Sequence, residues 1–157
     1  MFIDSELQVA EKDEKKYSAQ FVGSALNLCK NNSSAAIIGG GDGGVARELS
    51  SKGFDLIDWY ELDPEVVKVC QKHLTKVFGD VKANNKIKTY WGDAFESIKK
   101  VKEAKYDKIF VDLNDDQFCI DLASKNMKGL KRILKPGGTI TAQVGCMSKK
   151  PRQVKNW

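Results

Sequence analysis

No apolar run in this 157-residue chain approaches the roughly 18 to 20 residues needed to cross a bilayer, so no membrane span is expected. The N-terminus lacks a basic segment followed by an apolar core, so a secretory leader is not expected and a cytoplasmic protein is the default. Cysteine is sparse and scattered. Cys29, Cys70, Cys119 and Cys146 form no Cys-x-x-Cys pair, which argues against a zinc site or a disulfide framework and for buried structural thiols. The single histidine, His73, lies in a helical stretch of mixed polarity and reads as a helix-surface residue rather than a catalytic base. Internal repeats and low-complexity segments are absent, as is any Asn-Pro-Pro-Tyr-like segment of the kind used in base methylation. The net charge of +5 comes from lysines spread along the chain. Lys99, Lys100, Lys102 and Lys105 cluster without interleaved aromatics, which fits a solvated helix end better than a nucleic-acid surface.

What is present is most concentrated at Ile37-Ile38-Gly39-Gly40-Gly41-Asp42-Gly43-Gly44-Val45-Ala46-Arg47-Glu48. An apolar run ends in a glycine cluster and a helical pattern follows at once. Gly39, Gly41 and Gly43 permit positive φ and close approach of a ligand to the backbone. Asp42 is the unusual member. A loop built to hold a pyrophosphate on a helix N-terminus would not point a carboxylate at it, so this loop suits a cation.

The rest of the chain surrounds that loop with a regular alternation. Residues 1–10 read as one or two short strands, and Tyr17, Phe21, Ala25 and Leu28 recur at helical spacing over 14–29. After the Asn31-Asn32-Ser33-Ser34 loop, strands are expected at 35–39, 55–61, 86–91, 106–112 and 139–144. Helices are expected at 43–52, 64–74, 94–103 and 119–134, the second capped by Asp63 with Pro64 as its first residue. Five strands alternating with helices predict an α/β fold with a doubly wound parallel sheet, in one domain over residues 1–157. Residues 1–30 would form the lead-in and 35–144 the βαβ core. Right-handed crossovers then bring Gly39 to Gly43, Glu61, Asp93 and Asp112 to one edge.

Glu61 closes the second core strand, where a carboxylate can accept both hydroxyls of a ribose; alone it is shared with NAD-binding folds. Asp93 either caps a helix or accepts an adenine amino group, with the Ala94 amide beside it. Together with the glycine loop, these residues favour an S-adenosyl-type ligand over NAD. Asp112 ends Ile109-Phe110-Val111 and opens onto Asp115 and Asp116, a costly gathering unless cations or water meet it. A metal would answer that charge, although hard-metal sites usually collect more oxygen ligands from a defined loop. A bound amine would serve as well.

At these residues the chain resembles the spermidine/spermine synthase family of aminopropyltransferases. The family's Gly-Gly-Gly-Asp-Gly-Gly loop, its following Glu (here Glu48), its acid at Glu61, its Gly-Asp at Gly92-Asp93 and its Asp-x-x-Asp at Asp112 and Asp115 are all present. Gln8, Glu11, Asp13, Glu14 and Tyr17 follow the family's Gln-x-x-Glu-x-Asp-Glu-x-x-Tyr, and Gln143 falls where the family has Gln. The resemblance implies a Rossmann-like sheet of the S-adenosylmethionine-dependent methyltransferase type. It implies that Glu61 holds the ribose and Asp93 the adenine of decarboxylated S-adenosylmethionine, and that Asp42 holds its aminopropyl ammonium. Asp112 would orient and deprotonate the attacking amine, with Tyr17 near it and Asp115 and Gln143 in the polyamine site. The co-substrate would be decarboxylated S-adenosylmethionine with no tightly bound cofactor and no metal. The partner would be a small polyamine such as putrescine or spermidine, with no role for nucleic acid or membrane.

The chain departs from the family at its ends. Members usually carry an N-terminal β domain that helps build a homo-oligomer, and they continue past the fifth core strand. Here about ten residues precede the Glu-x-Asp-Glu segment and the chain stops at Trp157. The segment from Asp112 to Gln117 also lacks the Ser-Ser and Pro-x-Gly-Pro of spermidine synthases and is closer to the looser spermine-synthase version. The expectation is a fragment of a longer protein or a reduced relative. A methyltransferase on the same fold, and a non-catalytic binding domain that keeps the pocket, stand as alternatives.

Overall fold

The computed structural model describes residues 1–3, 6–28, 31–114 and 116–144. Two short antiparallel strands, β1 (Phe2–Ile3) and β2 (Glu6–Leu7), lead into α1 (Glu11–Leu28). The core then alternates β3 (Ser34–Gly39), α2 (Gly44–Ser51), β4 (Leu56–Glu61) and α3 (Pro64–His73). A short α4 (Thr75–Phe78) and a 3₁₀ turn precede β5 (Ile87–Trp91), α5 (Ala94–Ile98) and β6 (Tyr106–Asp112). Last come α6 (Gln117–Lys125), α7 (Met127–Ile133) and β7 (Leu134–Ala142).

The five core strands pair in parallel in the order β5-β4-β3-β6-β7. The order reverses at β3, and the crevice beyond the strand ends at such a reversal is where α/β sheets bind ligands. β3 is buried along its whole length, as a central strand covered on both faces must be. Side-chain alternation divides the core in two. Ile37, Ile57, Trp59 and Phe110 pack with α1, α2, α3 and Phe78 on one face. Ile38, Tyr60, Ile109 and Val111 pack with Phe95, Ile98, Ala123 and Leu130 on the other. The doubly wound parallel sheet is therefore present.

Several boundaries differ from the sequence expectation, each for a local reason. α1 begins at Glu11 rather than 14, because Glu11, Asp13 and Glu14 place acid at the positive end of the helix dipole. The helix expected over 94–103 ends at Ile98: the Arg132 guanidinium takes the carbonyls of Ile98, Lys99 and Val101 and turns the chain away. The single helix expected over 119–134 is two, broken at Asn126, whose side-chain amide bonds back to the Leu122 carbonyl. The first of them starts at Gln117 because Asp116 caps it, accepting from the Cys119 amide at 2.8 Å. β7 starts at Leu134, with an irregularity between its Tyr106 and Lys108 pairings that absorbs Lys135-Pro136-Gly137-Gly138.

Helix α1 is fastened to the glycine-loop helix α2 by an ion pair inside the protein. Arg47 donates to both oxygens of Glu14, at 2.9 and 3.0 Å, and also to the carbonyls of Lys76 and Val77. Glu14 is 4% exposed and also accepts from the Ser18 hydroxyl. Gly44 must lack a side chain here, since a Cβ would stand 2.2 Å from Glu14 Oε1. Among the remaining expectations, His73 is exposed at the end of α3, and Lys99, Lys100 and Lys102 are exposed while Lys105 pairs with Asp58. Cys70 is buried against Met1, and Cys119 is only partly covered; Cys29 and Cys146 lie outside the described residues. Among the described residues, no helix is long and apolar enough to cross a membrane.

Removing one member of a buried ion pair strands the other without a counter-charge, a loss of about 3–5 kcal/mol. Arg47→Met should lower the unfolding free energy by about that amount in urea titration. The double variant Glu14→Gln, Arg47→Met should recover most of the loss; a single variant as stable as the wild type would show that the pair does not anchor α1.

Candidate active site

The glycine loop leaves β3 under two restraints. The buried Trp59 indole donates to the Gly39 carbonyl at 2.7 Å, and the Gly40 amide donates to the Asp112 carbonyl at 2.8 Å. Gly39, Gly40 and Gly43 have positive φ. Gly41 does not, contrary to expectation, and it is small for another reason: a Cβ there would lie 2.9 Å from Val66 and 3.2 Å from a Glu61 carboxylate oxygen. The loop is pressed against the β4 end.

Asp42 turns back on its own helix, its Oδ1 accepting from the Gly44 amide at 2.8 Å. The loop's own carboxylate thus fills the N-terminus of α2, the place a phosphate takes in nucleotide-binding folds. Burial raises the Asp42 pKa, with Glu14 adding to the rise, while the Gly44 bond and Arg47 oppose it.

Glu61 closes β4, 8% exposed, and accepts from the Asp63 amide at 3.0 Å. Burial raises its pKa, the Asp63 and Leu62 amides oppose the rise, and Asp63 and Asp42 add to it. Asp63 itself caps α3, accepting from the Glu65 amide. Asp93 is exposed and caps α5, its Oδ1 accepting from the amides of Phe95 at 2.7 Å and Glu96 at 3.3 Å. The capping role is therefore real, and Ala94, partly buried, is the first residue of that helix.

Asp112 ends β6, next to β3 in the sheet. Tyr17, from α1, donates its hydroxyl to Asp112 Oδ1 at 2.6 Å across 95 residues of sequence. The Tyr17 ring stacks on Phe21, which meets Phe110 edge-on, so the hydroxyl is aimed by packing. Burial pushes the Asp112 carboxyl up to about 7, helped by the nearby charges of Asp42, Glu61 and Glu14 and opposed by the Tyr17 hydrogen bond. Gln143 continues past β7, its amide bonded to the Val111 carbonyl, which brings it beside the end of β6. Asp115 lies outside the described residues.

The strand ends thus gather Asp42, Glu61, Asp112 and Tyr17, with Asp93 just beyond β5 and Gln143 at the opposite side. No group of three or more His, Cys, Asp or Glu side chains suited to a metal ion is found among the described residues. Buried carboxylates that raise one another's pKa suit an organic cation, above all one carrying amines. Sequence reasoning missed two supports of this site. Glu14 sits three residues before Tyr17 on the same buried helix face, and an acid on an apolar face is the signal that announces a partner such as Arg47. Trp59 reads as ordinary strand core, and nothing in its local pattern announces the bond to Gly39.

Comparison with known proteins identifies the family. The Spermine/spermidine synthase domain matches residues 14–157. A polyamine aminopropyltransferase of Prochlorococcus marinus (strain MIT 9215) is 34% identical over 159 residues, covering 99% of this chain and 55% of that protein. Polyamine aminopropyltransferase 2 of Aquifex aeolicus (strain VF5) is 33% identical over 150 residues, covering 92% and 30% respectively. A spermidine synthase crystallised with the transition state analogue AdoDATO shares the fold at a TM-score of 0.89 and 21% identity, over 99% of this chain and 54% of that one. The spermidine synthase of Thermotoga maritima does so at 0.87 and 22%, over 99% and 53%. The chain spans about half the length of the curated Prochlorococcus relatives it matches. With the family match beginning at Glu14 and taking in the glycine loop, the strand-end acids and the Tyr17–Asp112 pair, the chain belongs to the spermine/spermidine synthase family.

Proposed function

We propose that this chain carries the reaction centre of a polyamine aminopropyltransferase, moving the aminopropyl group of decarboxylated S-adenosylmethionine onto an amine of putrescine or spermidine. The observation that carries this reading is Asp112: a carboxyl pushed up to about 7, held by Tyr17 and facing two further acids. The same reading has residues 1–157 act as one nucleoside-binding unit of a cytoplasmic homo-oligomer. It takes small molecules rather than nucleic acid or membrane, and holds no tight cofactor.

In this reading Glu61 accepts the ribose hydroxyls, Asp93 and the Ala94 amide meet the adenine, and Gly39, Gly41 and Gly43 let the nucleoside lie against the loop. Asp42 faces the ammonium of the aminopropyl group, and it would repel the carboxylate that ordinary S-adenosylmethionine retains. Asp115 and Gln143 receive the far part of the amine substrate.

The sulfonium already activates the adjacent methylene, so the leaving group needs no acid. The obstacle is the nucleophile, an ammonium with a pKa of about 10, whose deprotonation at pH 7 costs on the order of 4 kcal/mol. Asp112 takes that proton. A base near 7 closes roughly half the gap between an ordinary carboxylate and the amine. The freed lone pair attacks the methylene carbon, the carbon–sulfur bond breaks, and its electrons pass to sulfur to give neutral 5′-methylthioadenosine. Holding the two reactants in line supplies several of the roughly 7 to 11 kcal/mol available from positioning.

Three results test this reading. Asp112→Asn should lower turnover by a factor of about 10² or more while leaving 5′-methylthioadenosine affinity in place; unchanged turnover would remove Asp112 as the base. In calorimetric titration the chain should prefer decarboxylated over ordinary S-adenosylmethionine, and Asp42→Ala should abolish that preference. Equal binding by the wild type would sink the assignment of Asp42. The third result concerns pH. Asp112 has a folded pKa of about 7 against an ordinary 3.8, so the folded state holds a proton that the unfolded chain releases between those values. Its contribution therefore makes the empty protein less stable as pH rises from about 4 to 7, and Asp112→Asn should flatten that fall in urea midpoints.

A further inference from the structure

Given the aminopropyl transfer proposed above, on which the role assigned to Trp91 rests, a nucleoside held at Glu61 has one orientation that serves the chemistry. Its 5′ substituent must run toward Asp42 and Asp112, which follow β3 and end β6. Glu61 closes β4, the strand that lies between β3 and β5. The base leaves the ribose at the opposite end from the 5′ carbon, so it must extend over the end of β5.

Trp91 stands there. It is the parallel-register partner of Glu61, so the two side chains leave the sheet on the same face. That is the face of Ile57 and Trp59, while the neighbouring Tyr90 turns the other way and stacks on Tyr60. Glu61 thus has Gly41 against its carboxylate on the β3 side and Trp91 as its strand neighbour on the β5 side. The Gly92 amide donates to the Glu61 carbonyl at 2.9 Å and ties the two strand ends together. Asp93 follows two residues after Trp91. Glu61 is buried, yet its strand partner Trp91 is 52% exposed. Among the described residues, Trp91 is set apart from the other exposed large apolar residues by being both aromatic and fixed in the sheet as the strand partner of Glu61.

We infer that Trp91 is the wall against which the nucleobase packs, so that Glu61 reads the ribose, Asp93 the edge of the base and Trp91 its π-face. The Gly92 bond holds wall and acid at a fixed spacing, which makes recognition of base and sugar a single rigid feature of the β4–β5 edge. Base–aromatic stacking is sequence-tolerant, so Trp91 supplies affinity and Asp93 supplies the choice of base.

The test is a calorimetric titration of 5′-methylthioadenosine into the 157-residue chain and its Trp91→Ala and Trp91→Phe variants, each checked for an unchanged melting profile. Trp91→Ala should weaken binding by about 5- to 150-fold, the range spanned by loss of one stacked base, and Trp91→Phe should keep most of the affinity. Ligand should also change tryptophan emission in the wild type and far less in Trp91→Phe, which retains Trp59 and Trp157. Wild-type affinity in Trp91→Ala, or an equal loss in both variants with no change in emission on binding, would overturn the role of Trp91 while leaving the nucleoside reading intact. Absence of any binding by the wild type would overturn the nucleoside reading and the inference with it.

Discussion

Mutual repulsion among the acids at the ends of β4, β3 and β6 is the constraint to which the rest of the structure answers. Glu61, Asp42 and Asp112 lie on or just beyond three adjacent strands, and burial raises the pKa of each. Coulomb repulsion would spread them apart if the backbone allowed it. Arg47, a cation that acts on Asp42, is engaged elsewhere: its guanidinium donates to both oxygens of Glu14 and to the carbonyls of Lys76 and Val77. The strand ends must therefore be held by other means: the Trp59 bond to Gly39, the Gly40 bond to the Asp112 carbonyl, and the amides that Glu61 and Asp42 draw from their own turns. The result is a rigid frame with unmet negative charge. A positively charged ligand that bound only the folded frame, as proposed above, would add its binding free energy to the stability of the protein.

The same economy separates this loop from a phosphate-binding one. Both present a glycine-rich turn and a helix N-terminus, and on glycine spacing alone the two are indistinguishable. Here Asp42 accepts the Gly44 amide and supplies an anion at the dipole from within the chain. A phosphate arriving at that place would meet a carboxylate instead of a free amide, whereas an ammonium would meet its counter-ion. In the proposed reading, one residue thus reverses the charge preference of a shared backbone design.

The fold was legible wherever local pattern and tertiary environment agree. β3 and the Ile109-Phe110-Val111 stretch of β6 are short apolar runs buried on both faces, and Asp63-Pro64 marks a helix start by its own capping chemistry. What escaped was decided by distant partners. α5 stops where Arg132, more than 30 residues on, takes its carbonyls, and the break between α6 and α7 depends on one Asn126 amide. Gly41 looked like a residue chosen for positive φ, but it is needed because Glu61 and Val66, from another element, leave no space for a Cβ. In the site, Glu61 and Asp112 were legible because each ends a strand, and Asp42 and Asp93 because each follows one within three residues; parallel topology gathers such strand ends. Asp58 and Asp107, buried inside β4 and near the start of β6, gave no such signal. Burial would raise the Asp107 carboxyl, but bonds from Ser34, Lys135 and Ser33 hold it down at about 2.

Tyr17 shows why the lead-in helix is part of the site and not an appendage to it. Glu14 and Tyr17 are three residues apart and so share a face of α1. Glu14 is clamped by Arg47 beneath the N-terminus of α2, and the next turn then carries Tyr17 to Asp112. The clamp fixes α1 to the element that bears Asp42, while the tyrosine fixes it to the strand that bears Asp112. A hydrogen bond at 2.6 Å tolerates little sliding, so movement of α1 would alter the charge balance of Asp112 and the seating of the glycine loop together. The two halves of the proposed reaction, the cation held at Asp42 and the proton accepted at Asp112, are thereby kept in register by one helix that precedes the sheet.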